Sequence, residues 1–157
     1  MKRNVYIIAT LVVFLFQCSH YDDLQRNGKE SKNGSTESHN FGQDCMDCHN
    51  DPGSEAVKEG GWFHIAGSIY DEDETTPYTN ARVELWSQPN GEGTKYYELE
   101  VDAYGNFYTE KVIDYNHTCY PIVVDLESGD YEAMEPAFNS GGCNGCHGKT
   151  EVVISVE

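Results

Sequence analysis

The amino-acid sequence predicts an all-β protein: an antiparallel β-sandwich of about seven strands, with short helical or loop segments carrying its chemistry at the N- and C-terminal flanks. Three observations lead there. From Gly61 onward, apolar and polar residues alternate with a period of two. Gly, Pro, Asn and Asp punctuate that alternation at short, regular intervals. Hydrophobic residues make up 38 % of the 157-residue chain, enough for one modest core and too much for a disordered one.

Residues 1–17 read as a targeting segment. Lys2 and Arg3 supply a positive start, and 5–16 is an apolar run too short to span a bilayer comfortably. Leu15-Phe16-Gln17-Cys18 resembles the site at which a bacterial lipoprotein is cut and its new N-terminal cysteine acylated. Phe16 and Gln17 are larger than the small residues usual there, so ordinary cleavage stays open as the alternative. Acylation of Cys18 would anchor the chain stably, since each buried methylene adds roughly 0.8 kcal/mol. Asp22-Asp23 resembles the acidic signal that directs some lipoproteins to the outer face of the outer membrane. Residues 18–43, rich in Asn, Gly, Ser and charge, read as a flexible tether.

Residues 44–60 form a first segment with one or two helical turns, and 61–157 form the sandwich. Its strands are expected at 62–70, with Phe63, Ile65, Gly67 and Ile69 on one face, and at 81–87, with Val83 and Leu85 inward. The third, 94–101, follows a Pro89-Asn90-Gly91 turn, and the fourth is 104–113. The fifth, 118–126, contains Pro121, which suggests an edge or a bulge. A short sixth spans 130–134, and the seventh, 150–156, points Val152, Ile154 and Val156 inward.

The stretches Ala66-Gly67-Ser68-Ile69-Tyr70, Ala81-Arg82-Val83-Glu84-Leu85 and Val101-Asp102-Ala103-Tyr104-Gly105-Asn106-Phe107-Tyr108 resemble successive strands of the carboxypeptidase regulatory-like, transthyretin-like sandwich. The resemblance covers 62–156.

Two short motifs carry chemistry: Cys45-Met46-Asp47-Cys48-His49 and Cys143-Asn144-Gly145-Cys146-His147. Both are C-x-x-C-H. Two thiols at this spacing can add to the two vinyl groups of one haem, and the adjacent histidine then binds the iron as proximal ligand. Two covalently bound c-type haems are therefore expected, on Cys45, Cys48 and His49 and on Cys143, Cys146 and His147. An export signal agrees with this, because such haems are attached outside the cytosol. A shared zinc site would need the two pairs closer in sequence, two disulfides would leave both histidines unexplained, and a thioredoxin-like role needs a βαβ context. The whole chain resembles small bacterial cytochromes in which a sandwich lies between two such motifs.

The sixth ligand of each iron is sought among His20, His39, His64, His117 and Met134. His20 and His39 fall in the tether and read as solvated. If the strands run up and down in order, one pole collects both motifs, His64, the turn holding His117, and Met134. His64 and His117 are the distal candidates and Met134 the alternative; in the resembling cytochromes a methionine precedes the last motif by a similar interval. Cys119 reads as a buried structural thiol. Asp71-Glu72-Asp73-Glu74 reads as a solvated loop, since no complete calcium-loop pattern is present.

The formal net charge of −17 argues against nucleic acid as a partner and favours docking to basic proteins. The expected function is electron transfer at the cell envelope, by an exported, lipid-anchored, non-enzymatic protein that passes electrons between redox partners. A subunit of a polymeric cytochrome filament, and a haem-bearing sandwich acting as a binding or sensor module, stay open beside it.

Overall fold

The computed structural model describes residues 27–135 and 137–156. The targeting segment, Cys18, His20, Asp22-Asp23 and the first part of the tether lie outside the described residues. Among the described residues no helix is long and apolar enough to cross a membrane.

The chain is all-β, with two antiparallel sheets facing each other across one core. In chain order its elements are α1 (Met46–His49), α2 (Glu55–Gly60), β1 (Ile65–Ser68), β2 (Ala81–Trp86), β3 (Lys95–Glu100), β4 (Asn106–Thr109), β5 (Tyr120–Asp125) and β6 (Tyr131–Ala133). Short 3-10 turns at Pro89–Gly91 and Cys143–Gly145 complete it. One sheet is β1-β4; the other has the order β3-β2-β5-β6. Alternation fixes which side chains meet: Val83 lies opposite both Leu99 and Val123, and Gly67 lies opposite Phe107. Ile65, Ile69, Val83, Leu85, Leu99, Val101, Phe107 and Val123 form the core between the sheets.

The strands are shorter than expected, and six rather than seven are present among the described residues. The last segment, 150–156, makes only isolated bridges. Ser155 pairs with Tyr70 in parallel, through Tyr70 N–H to the Ile154 carbonyl and Val156 N–H to the Tyr70 carbonyl. Ile154 and Val156 reach the core, but Val152 is 76 % exposed because its carbonyl is engaged elsewhere. Phe63 also leaves the expected face, stacking on Tyr108 outside the two-stranded sheet. Pro121 sits near the start of β5, which is flanked by β2 and β6 and so is not an edge.

From Asn27 onward the segment read as a tether packs on the sandwich. Ser31 is buried, donates to the Glu100 carbonyl at 2.6 Å and accepts from Tyr108 N–H at 3.0 Å. Lys111 pairs with Glu30 at 2.6 Å. Its polar side chains satisfy backbone groups of β3 and β4, which a low apolar content does not forbid.

On the outer face of the larger sheet, Glu84 is buried and receives hydrogen bonds from Arg82 Nε at 2.6 Å, Trp86 Nε1 at 2.9 Å and Lys95 Nζ at 3.1 Å. Burial opposes its charge, but the bonds from Lys95, Trp86 and Arg82 outweigh burial and hold its carboxyl below the ordinary value near 4.5. E84Q should lower stability by about 1–2 kcal/mol in urea unfolding. A depressed folded pKa stabilises above the unfolded value and loses that contribution as pH falls through the folded one. The wild type should therefore lose stability on acidification below about pH 4.5, and E84Q less steeply.

Candidate haem-attachment site

Strand β1 is buried on both faces. Ile65 and Ile69 belong to the core, while Ala66 and Ser68 point the other way and are covered by the two C-x-x-C-H segments. Ala66 packs with Phe63 and Tyr108 against Cys45 and Met46. Ser68 N–H donates to Asn144 Oδ1 at 2.9 Å. The two motifs, nearly a hundred residues apart in sequence, thus meet on one small sheet.

What brings the second motif there is a parallel run of the chain beside β1. Ala66 pairs with Gly142, and Ala66 N–H donates to the Gly141 carbonyl at 2.9 Å. A Cβ on Gly141 would overlap the carbonyl oxygen of His64, so only glycine allows this approach. Asp44, just before the first motif, accepts from Met46 N–H at 3.1 Å and pairs with Lys149, just after the second, at 3.2 Å. Lys149 is 51 % exposed, so the pair itself is worth at most about 1 kcal/mol.

The motifs share a local design. His49 N–H donates to the Cys45 carbonyl at 2.8 Å, and His147 N–H to the Cys143 carbonyl at 3.0 Å. One helical turn therefore places each histidine over its first cysteine. In each motif the first cysteine is half-buried and the second exposed, and all four are free thiols. Burial, reinforced by nearby Asp44, pushes the Cys45 thiol up to about 11. Burial pushes Cys143 up to about 12, with Cys45 and Asp44 adding to it.

Both imidazoles are held by the same ring atom. His49 Nδ1 lies 3.0 Å from the Gly61 carbonyl, and His147 Nδ1 lies 2.7 Å from the Val152 carbonyl. A carbonyl can only accept, so each Nδ1 carries the proton and each Nε2 keeps its lone pair for a metal. His49 is also stacked on Phe63, with ring centres 3.9 Å apart. A cavity of about 140 Å³ adjoins the first motif, lined by Cys45, Cys48, His49, Phe63, Tyr108 and His39 among others. These residues fit a haem bound through two thioethers and Nε2. Among the described residues no three His, Cys, Asp or Glu side chains converge as in a compact zinc site.

The other expected site residues are dispersed. His64 is half-buried beside the second segment; burial lowers its pKa, its N–H donates to the Thr109 carbonyl at 2.8 Å, and its carbonyl accepts from the Tyr115 hydroxyl. His117 pairs with Asp114 at 3.4 Å and its ring lies 5.8 Å from that of Tyr96, on the four-stranded sheet. Met134 donates its N–H to Pro121 of β5. Cys119 is buried, as expected of a structural thiol. The Asp71–Glu74 stretch closes on itself, Asp73 accepting from Thr75 and Thr76. His39, read as solvated by its place in the tether, is exposed, and its ring also lies beside that of His49, with ring centres 6.1 Å apart and planes at 40°. Its nearness to Cys45 in sequence was the available signal for that proximity.

No protein-family model, curated protein or solved structure matches the chain.

G141A should displace the second motif from β1. The expected result is a loss of about 1–3 kcal/mol in thermal or urea unfolding, together with faster proteolytic release of the segment after Phe138. An unchanged midpoint and cleavage pattern would mean that the close approach to His64 is unimportant.

Proposed function

We propose that the protein is a dihaem c-type cytochrome that carries electrons at the cell envelope. The observation that supports this best is the matching pair of C-x-x-C-H turns, each with a free Nε2 and a carbonyl-held Nδ1. One such histidine is a common surface arrangement; the same one twice, after two free thiols, is the ligand set a covalent haem requires.

Each haem, when bound, supplies a reversible one-electron iron couple. Cys45, Cys48, Cys143 and Cys146 hold the macrocycles. The Gly61 and Val152 carbonyls fix the proximal rings and raise their basicity, which favours ferric iron and a lower potential. Phe63 and Tyr108 give the first site an apolar wall that keeps water from the ring of His49. The net charge of −17 favours the oxidised, more positive centres and basic redox partners. Two carriers side by side on one sheet suit transfer through the molecule rather than reaction on a substrate. Acylated Cys18 would keep the chain at the outer membrane, the intervening residues setting its reach.

The test is intact mass and membrane fractionation of protein matured by a c-type haem assembly system. The mass should exceed that of the apo chain by two haems, and C48A and C146A should each prevent normal double attachment of one. The wild type should fractionate with membranes and C18A with the soluble proteins. An apo mass, or stoichiometric zinc, would contradict the cytochrome reading; a soluble wild type would contradict the anchor alone.

A further inference from the structure

We propose that His39 is the distal ligand of the first haem, reaching the iron from the side opposite His49; the inference rests on the cytochrome reading above. The juxtaposition that carries it is the pair of imidazoles, 6.1 Å apart between ring centres, lining one cavity with Cys45 and Cys48.

The distance has a chemical meaning. Metal–imidazole bonds are about 2.0 Å, and a ring nitrogen lies about 1.1 Å from its ring centre, so two imidazoles on one metal have centres about 6.2 Å apart when in line. The 6.1 Å between His39 and His49 matches that separation, and it leaves far more room between the rings than the 3.9 Å stack of His49 on Phe63.

The orientation of His49 agrees. Its Nδ1 is taken by the Gly61 carbonyl, Phe63 covers one face, and Gly60 crowds Cε1, where a Cβ would come within 2.9 Å. Of its two ring nitrogens Nδ1 is engaged, and Nε2 is the one available to a metal.

The turn carrying His39 is pinned on both sides, which is the second, independent observation. Asn106 Nδ2 donates to Ser38 Oγ at 2.9 Å and to the His39 carbonyl at 3.3 Å. Gly42 N–H donates to Ser68 Oγ at 2.9 Å, and Phe41 packs on Tyr70 with ring centres 4.5 Å apart. Asn40 adopts a left-handed φ of 54°, a conformation asparagine tolerates better than most residues, and it reverses the chain between those anchors. These contacts use backbone atoms and neighbouring residues, not the imidazole. The ring is presented to the cavity by a turn that does not need it for its own stability.

The test is H39A in the haem-loaded protein, read by absorption, magnetic circular dichroism and electron paramagnetic resonance. One of the two haems should change from low-spin to high-spin, and added imidazole should restore it. H39M should give that haem the near-infrared signature of thioether ligation and an upward shift in its potential. H64A and H117A should leave it low-spin. A dihaem wild type whose spectra are untouched by H39A overturns this assignment alone. A high-spin change in H64A or H117A at the first haem, with none in H39A, overturns it in favour of that residue. A wild type that takes up no haem overturns the cytochrome reading and this inference with it. Because H39A retains every backbone anchor, its haem content and far-ultraviolet circular dichroism should match the wild type, which separates ligand loss from misfolding.

Discussion

A strand in a sandwich ordinarily has one face in the core and one in water, but β1 has no face in water. Ile65 and Ile69 take the core side, and Ala66 and Ser68 take a second interior made by the two C-x-x-C-H segments. The rest of the structure follows from that double burial. Ala66 and Ser68 are small, which lets backbone come close. Gly141 and Gly142 run against the strand, and Asn144 donates no bulk but its Oδ1 satisfies the Ser68 N–H. The partner strand supplies Asn106 and Tyr108 to the same outer layer. A larger residue at 66 or 68 would push both segments outward at once, so the two motifs share one foundation and are not independent appendages of a β-domain.

That shared foundation sets the electrostatics. The first cysteines of both motifs are turned inward, and burial pushes both thiols well above their usual value, each within reach of Asp44. Charges placed there interact in a medium of lower effective dielectric than water, so they influence one another more than surface charges at equal distance. Asp44 is nearly enclosed, with its side chain 11 % exposed, and Lys149 is its counter-ion across the two segments. Were a haem attached to each motif, oxidising one would alter the cost of oxidising the other. The sandwich acts as a scaffold that brings the motifs together, not as a spacer that holds them apart.

Much of this was legible in the sequence, for identifiable reasons. Period-two alternation located Ile65, Ile69, Val83 and Leu85 in the core, because on a strand one register decides every side chain's face. Asp102-Ala103 reads as the link before a strand starting at Tyr104; the turn runs on through Gly105, with Asp102 Oδ1 accepting from Tyr104 and Asn106 N–H and Gly105 at a φ of 79°, so β4 begins at Asn106. The expected common direction of β1 and the last segment is met at the parallel bridge between Tyr70 and Ser155, and Ala66 and Gly142 also pair in parallel. What was not legible depends on contacts that leave no periodic trace. The 27–43 segment is largely exposed, as its polar composition suggests, but Ser31 and Asn33 tie it to β3 and Ser31 also to β4. Val152 looks inward by alternation but is exposed, since its carbonyl is spent on His147 and the strand never forms. His117 and Met134 are expected beside the motifs, but the contacts they make are with Asp114, Tyr96 and Pro121 of β5.

The central claim is that two covalent haems lie together on the outer face of β1 and β4. Circular dichroism in the Soret band of the haem-loaded protein tests it most directly, because neighbouring porphyrins couple their transitions whereas isolated ones do not. The account predicts a two-signed Soret signal in the wild type that collapses to a single-signed band when either C-x-x-C-H motif is disabled. A single-signed wild-type band equal to the sum of the two single-haem variants would contradict it.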